Sequence, residues 1–353
     1  DGTQVLNLAS NDYLGLAGDH RLARAAAVAL DEAGLGAGAS RLITGNHRTH
    51  VVLEAALGDW LRCAGVRLFN SGYAANTGVL GALLHAGDAV FSDELNHASI
   101  IDGCRLSRAE VVVFPHRDLR ALEVALAGAL AGGRRRRIVV SESLFSMDGD
   151  LADVAGLAAL CARYEASLVL DEAHAVGVLG PEGRGAAAAA GVVPDVLIGT
   201  CGKALGTFGA FAASTRAVAD LLWNRARPFV FSTGMPPAIA SATLASLEIV
   251  RGAEGEERRR MLAASARRFR ELVPRAGGDR ESPIAPILVG DDREVMALSA
   301  RLLEARVFVQ GIRPPTVPPG TARLRVGLVA SMTGTQIEAA AMAIHDAMQQ
   351  EAA

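Results

Sequence analysis

Short apolar runs alternate with helix-length stretches up to about residue 235, and no other feature narrows the fold as much. Val66–Phe69, Ala89–Ser92, Val111–Phe114, Ile138–Ser141, Leu168–Asp171, Val196–Gly199 and Gly209–Ala213 read as strands. They are rich in Val, Ile, Leu and Phe, as strands buried on both faces of a mostly parallel sheet must be. Between them lie stretches of helical length, such as Leu119–Leu130 and Leu151–Tyr164, and the alanine run Ala186–Ala190 also reads as helical. The pattern predicts an α/β domain: a large, mostly parallel seven-stranded sheet with helices on both faces.

Beyond residue 235 the texture changes. Pro236–Val250 and Glu256–Val273 read as long helices. They are followed by a strand (Ala285–Val289), a helix (Arg293–Ala305), a Pro/Gly-rich stretch (Arg313–Gly320), a strand (Arg323–Leu328) and a last helix (Thr335–Gln349). This predicts a smaller C-terminal α+β domain over 236–353, after a large domain over 41–235 and an N-terminal segment over 1–40. The chain opens at Asp1 without Met, so this segment is expected to be truncated.

Half of the 353 residues are hydrophobic, enough for a large core, and the formal net charge is −3. That balance argues against a dedicated nucleic-acid partner. The one dense basic run, Arg134–Arg137, reads as a solvated turn. Cys63, Cys104, Cys161 and Cys201 form no CxxC pair, so neither a disulfide framework nor a metal centre is expected. No apolar run reaches the roughly 18 residues of a membrane span. A cytoplasmic location without a membrane partner is the expectation.

The chemistry is concentrated at predicted strand ends, where open α/β sheets gather their ligands. Asp171 closes the run Ser167–Asp171, and Lys203 follows the run Val196–Gly199 in the loop Gly199–Gly206. A carboxylate there can keep a pyridine nitrogen protonated, and a lysine can form an imine with an aldehyde cofactor. Lys203 is the only lysine among 35 basic residues. Arg has no accessible neutral form and cannot make an imine, so the one retained Lys points to function. His174 could donate to a phenolic oxygen on the same ring. Ser71, Gly72 and Tyr73 open a helix after Val66–Phe69, with amides suited to an anion, and Thr200 is a second candidate phosphate ligand. His97, just past another strand, could stack on a flat ring.

Gly34–Arg41 looks like a phosphate loop but follows a helix-like stretch instead of a strand, and reads either as a flexible loop near a substrate entrance or as a purely structural turn. Arg313, beside the rigid Pro314–Pro318 stretch, and then Arg323 and Arg325, could hold a carboxylate in a bidentate fork.

Taken in order, several segments resemble the α-oxoamine synthases. These are Asn11–Leu16, Gly36–His50, Asn70–Asn76, Ser92–Ser107, Glu142–Gly149, Leu170–Gly177, Gly199–Gly206 and Arg313–Arg325. The resemblance implies a pyridoxal 5'-phosphate (PLP) dependent transferase of fold type I. It also implies a homodimer with active sites at the subunit interface. Lys203 would carry PLP, Asp171 would pair with the pyridine nitrogen, His97 would stack on the ring and His174 would meet the phenolic oxygen. Glu142 and Ser146 match further pocket positions, and Ser232 and Thr233 match residues that reach the neighbouring subunit's phosphate. Asn11 and Arg313 match substrate-side positions, Arg325 being the alternative carboxylate ligand. The implied reaction is a decarboxylative condensation of L-alanine with a pimeloyl thioester, carried on coenzyme A or an acyl carrier protein. A glycine-using sibling and a non-catalytic PLP-binding relative are the alternatives. Met332 stands where the family usually shows His.

Overall fold

A computed structural model describes residues 2–349. Its contacts divide the chain into two units. The larger comprises Leu16–Leu144 and Ala152–Gly255; the smaller comprises Asp1–Gly15, Phe145–Leu151 and Glu256–Ala353.

Seven strands form the sheet of the larger unit: β1 Gly65–Phe69, β2 Ala89–Asp93, β3 Glu110–Phe114, β4 Arg137–Glu142, β5 Ser167–Asp171, β6 Val196–Thr200 and β7 Ala210–Ser214. Their order is β1-β7-β6-β5-β4-β2-β3. Only β7 runs against its neighbours; every other pairing is parallel. All seven expected strands are present, with ends moved by a residue or so.

Alternate residues serve two cores, as the period of two requires. Val90, Ile138, Val140 and Val169 meet Val79, Leu80, Ile100 and Cys104 of the helices Gly72–Leu83 and Ala98–Leu106. Phe91, Val139 and Leu168 meet Leu122, Leu126, Leu157 and Cys161 of Leu119–Ala131 and Val154–Arg163. Phe91 is fully buried, and its loss to Ala would cost about 3–5 kcal/mol.

Local chemistry decides the details. The helix expected from Leu151 begins at Val154, because the Asp153 side chain accepts the Gly156 N–H at 2.8 Å and caps the first turn. The arginine run is not a solvated turn throughout. Arg137 opens β4 and is buried, its Nε and Nη1 donating to the carbonyls of Tyr164 and Arg134 at 3.0 and 2.7 Å.

The smaller unit holds an antiparallel three-stranded sheet, with Ala322–Gly327 between Gln310–Ile312 and Ile284–Gly290. The helices Asp292–Glu304 and Gly334–Gln349 belong to the same unit. The unit boundaries differ from the expected domain limits. Pro237–Arg251 packs against the helices His20–Ala33 and Arg48–Leu61, which keeps it in the larger unit and moves the boundary to 255/256. Residues 16–40 go with the larger unit for the same reason, and Phe145–Leu151 goes with the smaller. Among the described residues no helix is long and apolar enough to cross a membrane.

Candidate active site

The carboxyl ends of β4, β5 and β6 bring together the residues that the sequence analysis singled out. Glu142 and Asp171 are register partners on neighbouring strands, and both are buried. Asp171 is held on both oxygens: Oδ1 accepts the Ala173 N–H at 2.9 Å and Oδ2 accepts Asn76 Nδ2 at 2.7 Å. Lys203, in the loop after β6, sets its Nζ 2.8 Å from Nε2 of the buried His174. His97 caps the helix Ala98–Leu106 and sets Nδ1 2.7 Å from Ser99 Oγ. Burial pushes the His97 imidazole below its usual value, with Asp171 pulling the other way and Lys203 adding to the burial effect. An acid, an amine and two imidazoles therefore share one electrostatic neighbourhood.

At the end of β1, Ser71 caps the helix Gly72–Leu83 by accepting the Ala74 N–H at 3.1 Å. The Gly72 and Tyr73 amides lie in that first turn, where no intrahelical acceptor exists. A Cβ at Gly72 would meet nothing within 4 Å, so the space before the helix is open. The exposed Tyr73 turns its hydroxyl to Asp102, at 2.6 Å. Thr200 donates to the Gly209 carbonyl at 3.0 Å and accepts the Gly202 N–H at 3.2 Å, which ties down the loop carrying Lys203.

A family model for aminotransferase class I and II matches residues 3–344. The chain belongs to that family. Its fold is that of the fold type I PLP-dependent transferases, and PLP is its cofactor. Among curated relatives, 8-amino-7-oxononanoate synthase of Citrifermentans bemidjiense is 49% identical, covering 97% of this chain and 88% of the relative. The enzyme of the same name from Geobacter sulfurreducens is 48% identical, covering 98% and 89%. Among solved structures, a serine palmitoyltransferase from S. paucimobilis superposes with a TM-score of 0.93 at 30% identity, covering 98% of this chain and 88% of the other. The 8-amino-7-oxononanoate synthase of Francisella tularensis superposes with a TM-score of 0.85 at 28% identity, covering 99% of each.

The donor set of the larger unit fits PLP. It offers a primary amine, a buried carboxylate, two imidazoles and an uncovered helix N-terminus for a phosphate. Ser232 and Thr233 lie apart from the Lys203 cluster in sequence, in a stretch where Thr233 pairs with Ser40.

The remaining candidates lie in the smaller unit. Asn11 accepts the Tyr13 hydroxyl at 3.1 Å. Arg313 is exposed. Arg325 is buried, its Nε donating to the Ser146 carbonyl at 2.6 Å. Arg323 is bound to Asp148 at 2.5 Å and to the Met147 carbonyl at 3.3 Å.

Three supporting residues escaped the sequence analysis. Asn76 holds Asp171, and the available signal was an amide within an otherwise apolar, buried helix, which demands a partner. Asn96 fastens strand ends together: its Oδ1 accepts the Glu142 N–H, and its Nδ2 donates to Ser92 Oγ and the Val140 carbonyl, each at 2.9 Å. Glu172 is fully buried and accepts the Ala186 and Ala187 amides at 2.7 Å each. A Cβ on Gly185 would come within 1.9 Å of Glu172 Oε2, so only glycine fits there. Burial pushes the Glu172 carboxyl up to about 7, against the pull of those amides.

Proposed function

We propose that this enzyme condenses L-alanine with a pimeloyl thioester, losing CO2 and free thiol to give 8-amino-7-oxononanoate. The observation that carries the reading is the Lys203–His174 pair, 2.8 Å apart beside the anchored Asp171. Relatives of 48–49% identity that carry the name 8-amino-7-oxononanoate synthase support the substrate assignment.

PLP, when bound, supplies an electron sink for charge left on the amino acid's α-carbon. Lys203 would carry the cofactor and, when free, would act as the base at the substrate's α-carbon. Its approach to His174, 2.8 Å away, keeps Nζ oriented. Asp171 holds a proton on the ring nitrogen; because Asn76 and the Ala173 amide fix both oxygens, this carboxylate needs no reorganisation. His97 would cover a ring face and His174 would meet the phenolic oxygen. Glu142 and Ser146 complete the cofactor pocket. The Gly72 and Tyr73 amides, Ser71 and Thr200 take the phosphate, with Ser232 and Thr233 reaching the phosphate of a second copy in a homodimer.

For the substrate carboxylate, burial favours Arg325 over Arg313, the first choice from the Pro-rich stretch. Arg325 is desolvated and already anchored through Nε, so little side-chain entropy is lost on binding, whereas Arg313 stands in water. Asn11 is assigned to the substrate side.

Product analysis tests the reading. Purified enzyme is given L-alanine or glycine with a panel of acyl thioesters. Release of 8-amino-7-oxononanoate and CO2 from L-alanine and pimeloyl thioester is expected; exclusive use of glycine refutes the substrate assignment.

A further inference from the structure

The glycine-rich stretch at 36–50 is bonded to a segment distant in sequence. It grips the segment 233–235. Ser40 pairs with Thr233, and the Gly234 N–H donates to the Ala39 carbonyl at 2.9 Å. His50 Nε2 lies 2.7 Å from the Met235 carbonyl. From the other side, Asn70 Nδ2 donates to the Thr233 carbonyl at 2.9 Å. A Cβ on Gly234 would stand 2.9 Å from the Gly45 carbonyl and 3.3 Å from Arg41 Cδ, so the two segments are in close contact.

Arg41 sits at the centre of this grip and is 4% exposed. Its Nε donates to Asn46 Oδ1 at 2.8 Å, and its Nη1 lies 3.1 Å from Glu54 Oε1. The guanidinium lies against the Trp223–Phe229 pair, 5.5 and 5.6 Å from ring centroids that are themselves 5.1 Å apart. Nη2 has no protein acceptor. Arg41 also lines a cavity of about 10 Å³, shared with Asn70, Ser232 and Thr233, which is room for one water. An arginine cannot shed its charge, so a buried and permanently cationic donor lines a one-water space together with two hydroxyl residues.

We propose that Arg41 is a positioning residue for the phosphate end of the cofactor, acting through that water on Ser232 and Thr233. The inference rests on the reading that these two residues reach a phosphate. The spare N–H orders the water, the water fixes the hydroxyls as donors, and the buried positive charge favours a dianion in front of them.

The experiment compares PLP with pyridoxal, which keeps the aldehyde and ring but lacks the phosphate. Affinities for the full-length protein are read from the visible absorbance of the Lys203-linked cofactor. Arg41→Lys keeps a cation for Glu54 but removes the third nitrogen. It should weaken PLP binding roughly tenfold, the scale of one well-placed hydrogen bond, and leave pyridoxal binding unchanged. Equal losses for both ligands would mean that Arg41 only braces the fold, and would overturn the proposal. So would unchanged PLP affinity. Should Arg41→Lys not fold, Ser232→Ala and Thr233→Ala leave the Arg41–Glu54 pair intact and must show the same phosphate-specific loss; normal PLP binding by both sinks the idea. Where Arg41→Lys folds, its effect should shrink in the Ser232→Ala, Thr233→Ala background. If the wild-type protein itself fails to link PLP at Lys203, the proposed function fails first, and that outcome is separable from these.

Discussion

The carboxyl edge of the seven-stranded sheet and the strand Ala322–Gly327 both hold buried charge, by different means. At the sheet edge Asp171 and Glu172 are each bonded on both carboxylate oxygens. Asp171 is held by Asn76 and the Ala173 amide, Glu172 by the Ala186 and Ala187 amides, and Glu142 has its backbone N–H bound by Asn96. On the strand, Arg323 is bound by Asp148 and the Met147 carbonyl, while Arg325 donates from Nε to the Ser146 carbonyl. A carboxylate bonded on both oxygens suits a group that must not move during chemistry; a guanidinium held through Nε suits a group that completes its bonding with a ligand.

The largest expected effect tests the sheet edge. Lys203→Ala should abolish both covalent cofactor attachment and turnover, since no other lysine exists in the chain. Borohydride trapping followed by peptide mapping reads this directly; a trapped adduct on the α-amino group would remove Lys203 from its role.

Next comes Asp171→Asn. The side chain keeps its shape but loses its charge, so PLP should stay bound while turnover falls about a hundredfold or more. Wild-type turnover in this variant would mean that the fastening of Asp171 serves stability alone.

The third prediction sharpens the comparison on the arginine side. Losing a charge-assisted contact costs about 1.5–3 kcal/mol, so Arg325→Ala should raise the L-alanine KM roughly ten- to a hundredfold. Arg313→Ala should change it little, because an exposed guanidinium contributes about 0–1 kcal/mol. Steady-state kinetics on both variants decide; the reverse order would return the carboxylate to Arg313.

The smallest effect concerns pH. His50 is fully buried; Nδ1 accepts the His47 N–H at 3.1 Å, so Nε2 carries the proton given to the Met235 carbonyl at 2.7 Å. Burial and the Arg41 charge hold its pKa at about 4, below the unfolded 6.5. The unfolded chain therefore takes up the proton first, and stability present above pH 6.5 is lost progressively as pH falls towards 4. Between pH 7 and 5.5 the loss from this group is about 1 kcal/mol. Denaturant melts of wild type and His50→Gln at both pH values check it; an equal pH dependence in the variant would assign the effect elsewhere.

Local pattern made much of this protein legible. Strand runs, helix lengths and the solitary Lys203 are set by short-range chemistry: side-chain period, cap residues, and the fact that only lysine among these cations can form an imine. Asp171 and Lys203 were readable because each follows a recognisable strand, and parallel strands in one sheet end on the same edge. The packing of Pro237–Arg251 against two early helices was not readable, so the expected boundary at 235/236 fell short of 255/256. Nor was the difference between Arg313 and Arg325, two arginines of one motif separated by burial alone.

By itself, then, the sequence determined the α/β class and the strand ends and offered the candidate reactive groups, because these follow from residue type and near neighbours. Tertiary structure decided which polar groups are fastened to which. Asn76 reaches Asp171 across 95 positions of chain, and His50 reaches Met235 across 185. Such bonds depend on the closeness of distant segments, which no local pattern encodes, and on the cost of burying a polar atom without a partner, which only the folded interior imposes.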